Sequence, residues 1–465
     1  MNGKFALDYL VKNVTFADVG HKERSVDREM EGDLAFDIER VMSTGCFRKN
    51  ESGFMLFDGR VYMAFDNVQL RGVISALFKE RNVAKKYVMN SIPNIIKHLE
   101  SSMIIRQYNP SKEIVSFENT VLMLEDMSMY PHDEKYETNI HLDFDYDPRA
   151  KCDRFNLYLK ETLPNESVQK VLQEFLGLIF IDRSKLSVEA VLYLYGTGSN
   201  GKSVISDMIT DMLGKDNVSN FEMYDLTEST TADYKIAQAN GKLINFCSDM
   251  GDKDFSGGKY KAIASGEEVM GRHPAGRPFK ATQLPLLAAN VNKMPISRDN
   301  TRGHYRRSVV VPFRVDFDES TADKGLRGKL KNELSGIFNW VMEGRKRLIE
   351  QGGRFTYSEE IEEAGKKAKI ESNSSLLFIQ DNEYSLKNNG GILIEKVAQD
   401  LYDEYKKWCD ETGHRHKSRK TFLADLVSEG CEKGDGRKRY TYMLYNIVPP
   451  EFEDEEDEKM DNLPF

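Results

Sequence analysis

The residues best placed to do chemistry are Gly196, Thr197, Gly198, Ser199, Asn200, Gly201, Lys202 and Ser203, which fit the pattern GxxxxGK[ST]. Glycines at these positions free backbone N–H groups to wrap a triphosphate, the lysine reaches the β and γ phosphates, and the hydroxyl holds Mg²⁺. Asp249 ends an apolar run beginning near Leu243 and offers a carboxylate to that metal ion or to an attacking water. Asn290 ends a second apolar run, and its amide is suited to bond a γ phosphate or the same water. Arg306 and Arg307 precede a third run, where one of them, presented across a subunit boundary, would stabilise charge in a transition state. The chemistry these types imply is hydrolysis of Mg·ATP, with Lys202, Ser203 and Asp249 on one side of the pocket.

Such a loop works only between a buried strand and a helix N-terminus, which aims unpaired N–H groups and a positive dipole end at the anion. Both flanks are present. Ala190 to Tyr195 is apolar and of strand length, while Val204, Ile205, Met208, Ile209, Met212 and Leu213 recur at helical spacing after the lysine. The nucleotide-contacting set therefore runs from Gly196 to Val204. After the acid-bearing strand come Lys261 in a lysine-rich segment and then a hairpin with Pro-Ala-Gly at its tip, flanked by Arg272, His273, Arg277 and Lys280. A cationic tip of this kind suits a nucleic-acid backbone threaded past it.

Composition bounds the rest. The chain has 465 residues, 30% charged and 40% hydrophobic, and no apolar run long enough to span a bilayer, which predicts a multidomain cytoplasmic protein without a membrane partner. Five scattered cysteines suggest neither a disulfide framework nor a zinc finger. The net charge is −10, but residues 451–461 alone carry −7. The body is nearly neutral, with room for basic faces.

Five segments follow: an accessory or oligomerisation domain at 1–165, mixed α/β or helical; an α/β motor at 166–350; a helical connector at 351–372; a winged-helix-like domain at 373–450; and an acidic tail at 451–465. In the first, helices are expected around 33–42, 68–78 and 87–99, with a hairpin turning at Asp58-Gly59. Asp143, Asp145 and Asp147 alternate along a strand-like stretch after His141. They would share a face and could hold metal ions, but the simpler reading is a solvated strand face before a turn. In the C-terminal part, Ile392 to Cys409 reads as one helix, Ser418 caps the next, and a basic wing follows. Arg419 and Lys420 at the helix start, with Arg437 and Lys438 in the wing, would touch DNA phosphates. A charged accessory domain packing on a partner protein is the other reading.

The succession GTGSNGKS, SDMG, KYKAIASGEE with a basic hairpin, LAANVNKMP and YRRSVVVPF resembles superfamily 3 helicases of the phage, plasmid and poxvirus primase-helicase type. Flanking blocks at 115–119, 144–148 and 333–340 extend the resemblance to roughly 110–445. It implies a P-loop AAA+-like core, hexameric rings and movement along single-stranded or forked DNA, with Lys202 and Ser203 as Walker A residues and Asp249 as the Walker B acid. Lys261 would precede the DNA hairpin, Asn290 would be the sensor, and Arg306 or Arg307 the finger. Relatives have glutamate or an acidic pair where this chain has Ser248-Asp249, so which group polarises water stays open. The resemblance further implies a stand-alone helicase, with primase, polymerase or single-strand-binding protein supplied separately. A competing function is an origin-binding initiator or DNA-packaging factor that uses ATP as an assembly switch.

Overall fold

The computed structural model describes residues 2–14, 28–50, 53–80, 85–198, 200–227, 229–248, 250, 257–274, 276–294, 305–317, 323–388, 390–434 and 441–446. Asp249, Ser199, Arg437 and Lys438, and the acidic tail, lie outside them. The fold is mixed α/β, in two compact units: residues 1–293 with 303–365, and essentially 366 onward. Among the described residues no helix is long and apolar enough to cross a membrane.

The first unit opens with helices α1 (Asn2–Asn13) and α2 (Arg28–Thr44), a meander of β1 (Phe47–Asn50), β2 (Gly53–Phe57) and β3 (Tyr62–Phe65), then α3 (Asn67–Glu80) and α4 (Lys85–Ser101). The expected Asp-Gly turn joins β2 to β3. Asp58 Oδ1 accepts the N–H of Arg60 and of Val61, both at 3.0 Å, and Gly59 takes the positive φ of 106° that glycine tolerates. These elements enclose their own core, including Ile38, Phe47, Phe65, Ile74 and Leu99.

Next, β4 (Ile114–Phe117), β5 (Val121–Met123), β6 (Ser128–Tyr130) and β7 (His141–Leu142) form a sheet in the order β6-β5-β4-β7. The strand expected through Asp147 stops at Leu142. The chain bends where Phe144 N bonds Leu142 O (2.8 Å), and Asp147 N bonds Ser335 Oγ (2.7 Å), so the three aspartates do not share a strand face. Helices α5 (Asp153–Thr162) and α6 (Glu166–Leu178) then lead to the central sheet.

That sheet contains β8 (Val191–Tyr195), β9 (Val218–Ser219), β10 (Ile244–Cys247), β13 (Leu286–Val291) and β14 (Ser308–Pro312), all parallel, in the order β14-β8-β13-β10-β9. Between them run α7 (Lys202–Leu213), α8 (Ser229–Ala239), α9 (Gly258–Ser265) and the hairpin of β11 (Val269–Arg272) and β12 (Pro278–Ala281). In the central sheet β8, β10 and β13 are buried on both faces, as crossover helices require. One apolar core reaches from Val115 through these strands to Leu348 on the helix Leu334–Glu350. Gly344 and Gly177 permit that helix to lie against α6, since a Cβ at Gly344 would stand 2.2 Å from Gln173 O.

The second unit has helices Ser374–Asp381, Ala398–Thr412 and Arg419–Ser428 with a sheet of β15 (Tyr384–Ser385), β16 (Leu393–Val397), β17 (Lys433–Gly434) and β18 (Thr441–Asn446). The helix expected from Ile392 begins only at Ala398. Leu393 to Val397 pair antiparallel with β18, and that ladder overrides the helical spacing of Ile394 and Val397. The expected caps are present: Ser418 accepts from Thr421 N, and Gly413 closes the preceding helix with φ 76°.

Candidate functional site

The phosphate-loop sequence sits where β8 leaves the sheet. Tyr195 O accepts from Phe313 N (2.7 Å), and Gly196 N donates to Val291 O (3.1 Å), so both neighbouring strands fix the loop's first residue. A Cβ on Gly196 would lie 2.4 Å from Phe313 O, so any other residue would force the loop or its neighbour strand to shift. Gly201 has φ 91° and caps α7, its carbonyl held by the Tyr158 hydroxyl at 2.8 Å. Lys202 opens α7, and Ser203 is exposed in the first turn beside half-buried Val204.

Lys202 is 6% exposed. Its ammonium donates to Thr197 O and Asn200 Oδ1, both at 3.0 Å, and to Gly196 O. Burial pulls its pKa down, while the nearby Asp316 charge acts the other way. Asn200 is itself buried and bonds Phe313 O (3.3 Å), so the loop folds around its own lysine.

Asn290 stands opposite Leu194 of β8, at the same sheet edge. Its Nδ2 is 3.5 Å from Ser206 Oγ on α7, and its Oδ1 is buried with no partner among the described residues. An orphaned buried acceptor of this kind costs about 1–3 kcal/mol unless a ligand or water meets it. β10 ends at the same edge, with Cys247 in register with Ala289, and Ser248 is exposed beyond it. The structure therefore gathers Lys202, Ser203 and Asn290, whereas Asp249 is not described.

Arg306 and Arg307 lie at the other edge. Arg307 O accepts from Val191 N (2.7 Å) at the start of β8, five strand residues or roughly 16 Å from the loop. Glu189 Oε2 binds Arg306 Nη2 at 2.5 Å and Arg307 Nε at 3.0 Å, and Arg307 also bonds Ser265 Oγ (3.1 Å). The Arg306 side chain is 66% exposed, that of Arg307 14%. Glu189 was invisible to sequence reasoning because no motif surrounds it. Nearby, Arg183 donates to Ala264 O (3.2 Å) and Lys112 to Leu284 O (3.4 Å), both with pKa lowered by burial, to about 10 and about 8.

Arg272, His273, Arg277 and Lys280 are exposed on the hairpin as expected. Arg272 Nε bonds Gly276 O (3.1 Å), His273 stacks on Phe279, and Lys280 pairs with Glu268. Lys261 is half-buried on α9, beside Tyr260, whose hydroxyl meets that of Tyr193 at 3.0 Å and ties α9 to β8. In the second unit Arg419 bonds Gln399 Oε1 (2.6 Å) and Lys420 is exposed.

Residues 194–307, from the end of β8 to Arg307, match a family of unknown function (DUF5906), and residues 50–164 match the family described as D5 N terminal like. Among solved structures, the chain is similar to the A form apo structure of the NrS-1 C terminal region, at 11% identity and a TM-score of 0.44, over 88% of this chain and 98% of that one. A second apo structure of the same region gives 12% identity and 0.42 over the same shares.

Proposed function

We propose that this chain is an ATP-dependent DNA helicase that translocates along single-stranded or forked DNA during replication of a phage, plasmid or other mobile element. The observation that carries the reading is Lys202, buried at the start of α7 beneath a glycine-locked loop, with the orphaned amide oxygen of Asn290 on the adjacent strand. The match to the D5 N-terminal-like family supports a phage-type primase-helicase relationship. The strand order, with β13 between the loop strand and β10, supports a P-loop AAA+-like core, and three helices beside a short antiparallel sheet support a winged-helix-like second unit.

Mg·ATP would supply the reactive phosphoanhydride; the loop's N–H groups and Lys202 would hold its phosphates, and Ser203 and Asp249 would hold its Mg²⁺. Lys202 is the cation available to the phosphates, released from loop carbonyls that are neutral acceptors. Asn290 orients a polar group at its free Oδ1. The arginines stand too far along β8 to serve their own loop, so a homo-hexameric ring, in which a neighbouring copy lends Arg306, completes the pocket. Arg306 is the exposed member, and Arg307, bonded to Ser265 and Glu189, positions it. Exposed cations at 272–280, half-buried Lys261, and Arg419 and Lys420 would bear on DNA phosphates in the host or bacterial cytosol, where primase or single-strand-binding protein would act alongside.

The test is strand displacement on forked DNA with wild type, Lys202→Ala and Arg306→Ala, singly and mixed. Each variant should be inactive alone, and the mixture should recover part of the activity because intact pockets form between unlike copies. Full-rate hydrolysis by a strictly monomeric protein would sink this reading, and ATP binding without turnover would replace it with an ATP-switched origin-binding initiator or packaging factor.

A further inference from the structure

Glu118, His141 and Asp143 lie outside the phosphate loop and take no part in the helicase reading. Strands β4 and β7 pair in parallel with Ser116 beside His141. Glu118 and Asp143 lie just past the ends of these strands and flank the imidazole, and Glu118 N bonds Phe144 O (3.1 Å) to hold the two strand ends together. His141 Nε2 is 3.5 Å from Glu118 Oε1 and 3.5 Å from Asp143 Oδ1, and the three donor atoms lie within 4.8 Å of one another.

At 3.5 Å these are ion-pair separations longer than a close hydrogen bond, and they leave room for one ion between the donor atoms. The chain contains a genuine imidazole–carboxylate bond for comparison, His98 Nε2 to Glu39 Oε2 at 2.9 Å. Two carboxylates standing off the same nitrogen at 3.5 Å match the edge of a tetrahedron, about 3.4 Å when ligand bonds are about 2.1 Å. The outer contacts also orient the set. His141 Nδ1 is 3.2 Å from the hydroxyl of fully buried Ser116, which turns Nε2 toward the carboxylates. Arg60 pairs with Glu118 Oε2 and leaves Oε1 facing the ring. Asn217 Nδ2 donates to His141 O and to Leu213 O, each at 2.7 Å, so the strand is tied to the end of α7, the helix that begins at Lys202.

We propose that Glu118, His141 and Asp143 bind one divalent transition-metal ion of the Zn²⁺ class, with water completing the shell, as a brace between the β4–β7 sheet and α7. One imidazole and two carboxylates favour such an ion over Mg²⁺ or Ca²⁺, which take oxygen alone. His141 is mostly buried, Glu118 is partly exposed and Asp143 is 76% exposed, which leaves an entry path from the Asp143 side.

The test titrates chelator-stripped full-length protein with Zn²⁺ by calorimetry and with Co²⁺ by visible absorption, for wild type, Glu118→Gln, Asp143→Asn and His141→Ala. Wild type should bind one equivalent with an intense tetrahedral Co²⁺ band and a higher melting temperature. Each variant should lose at least tenfold in affinity together with the band. The two carboxamide variants change exposed groups, so they report even if His141→Ala fails to fold. No binding by wild type would overturn the proposal. So would an affinity that falls less than tenfold in either carboxamide variant, as expected if the ion sat on Ser203 or on the acidic stretch 451–461.

Discussion

The two edges of the central sheet present cations in opposite ways. Where β8 ends, Lys202 is enclosed by carbonyls of its own loop, and a Cβ at 196 would press on the backbone of Phe313. Where β8 and β14 begin, Arg306 and Arg307 share one carboxylate, and Arg306 reaches into solvent. At the first edge the lysine is held by its own loop, while at the second the arginines are held by a carboxylate side chain. Arg306, 66% exposed, holds Glu189 from the solvent side, while Arg307 holds it from within.

The comparison can be broken most decisively by rate. In assembled protein with DNA, Arg306→Ala should lower ATP turnover by about 10³ or more, as removal of an arginine finger does, while leaving ATP affinity and the melting temperature nearly unchanged. Equal loss of affinity would place Arg306 at its own loop. Next, Gly196→Ala should destabilise the first unit by about 3 kcal/mol in denaturant titration, because a Cβ 2.4 Å from a backbone oxygen must displace β14 or the loop. A change under about 0.5 kcal/mol would mean that the loop edge is soft.

The pH dependence sharpens the contrast. Burial, with the Arg183 charge adding to it, lowers Lys112 from 10.5 to about 8. The folded state then holds fewer protons than the unfolded chain between those values, so its stability should rise with pH across that window. Relative to Lys112→Met, wild type should gain stability from about pH 8 to 10.5, and parallel curves would refute a desolvated ammonium beside Arg183. The smallest effect is expected at the hairpin. Arg272→Ala or Arg277→Ala should weaken single-strand binding uniformly across sequences and reduce the salt slope by about one each, without altering ATP binding.

Much of the strand, loop and helix around Lys202 was legible because its signals are local. The glycines, the lysine and the helical spacing of Ile205, Met208, Ile209 and Met212 lie within one short stretch, and the expected strand, loop and helix are all found there. Glu189, 117 residues from Arg306, carried no such signal. The helix expected over Ile392 to Val397 is a strand because its partner, β18, lies about fifty residues further along. Asp143 to Asp147 alternate as a strand would, yet Ser335 and Asn339 capture the backbone at Asp147 and hold it in a loop.

By itself the sequence determined where a phosphate-wrapping loop can form, since glycine's freedom at positive φ and a helix N-terminus are properties of consecutive residues. Only the tertiary structure decided which groups share an edge: that Asn290 faces the loop with an acceptor unmet, that the arginines stand at the opposite end of β8, and that His141 meets Glu118 and Asp143. Those placements follow from strand order and register, which are fixed by burial of distant apolar segments against one another and leave no mark in the spacing of the residues they bring together.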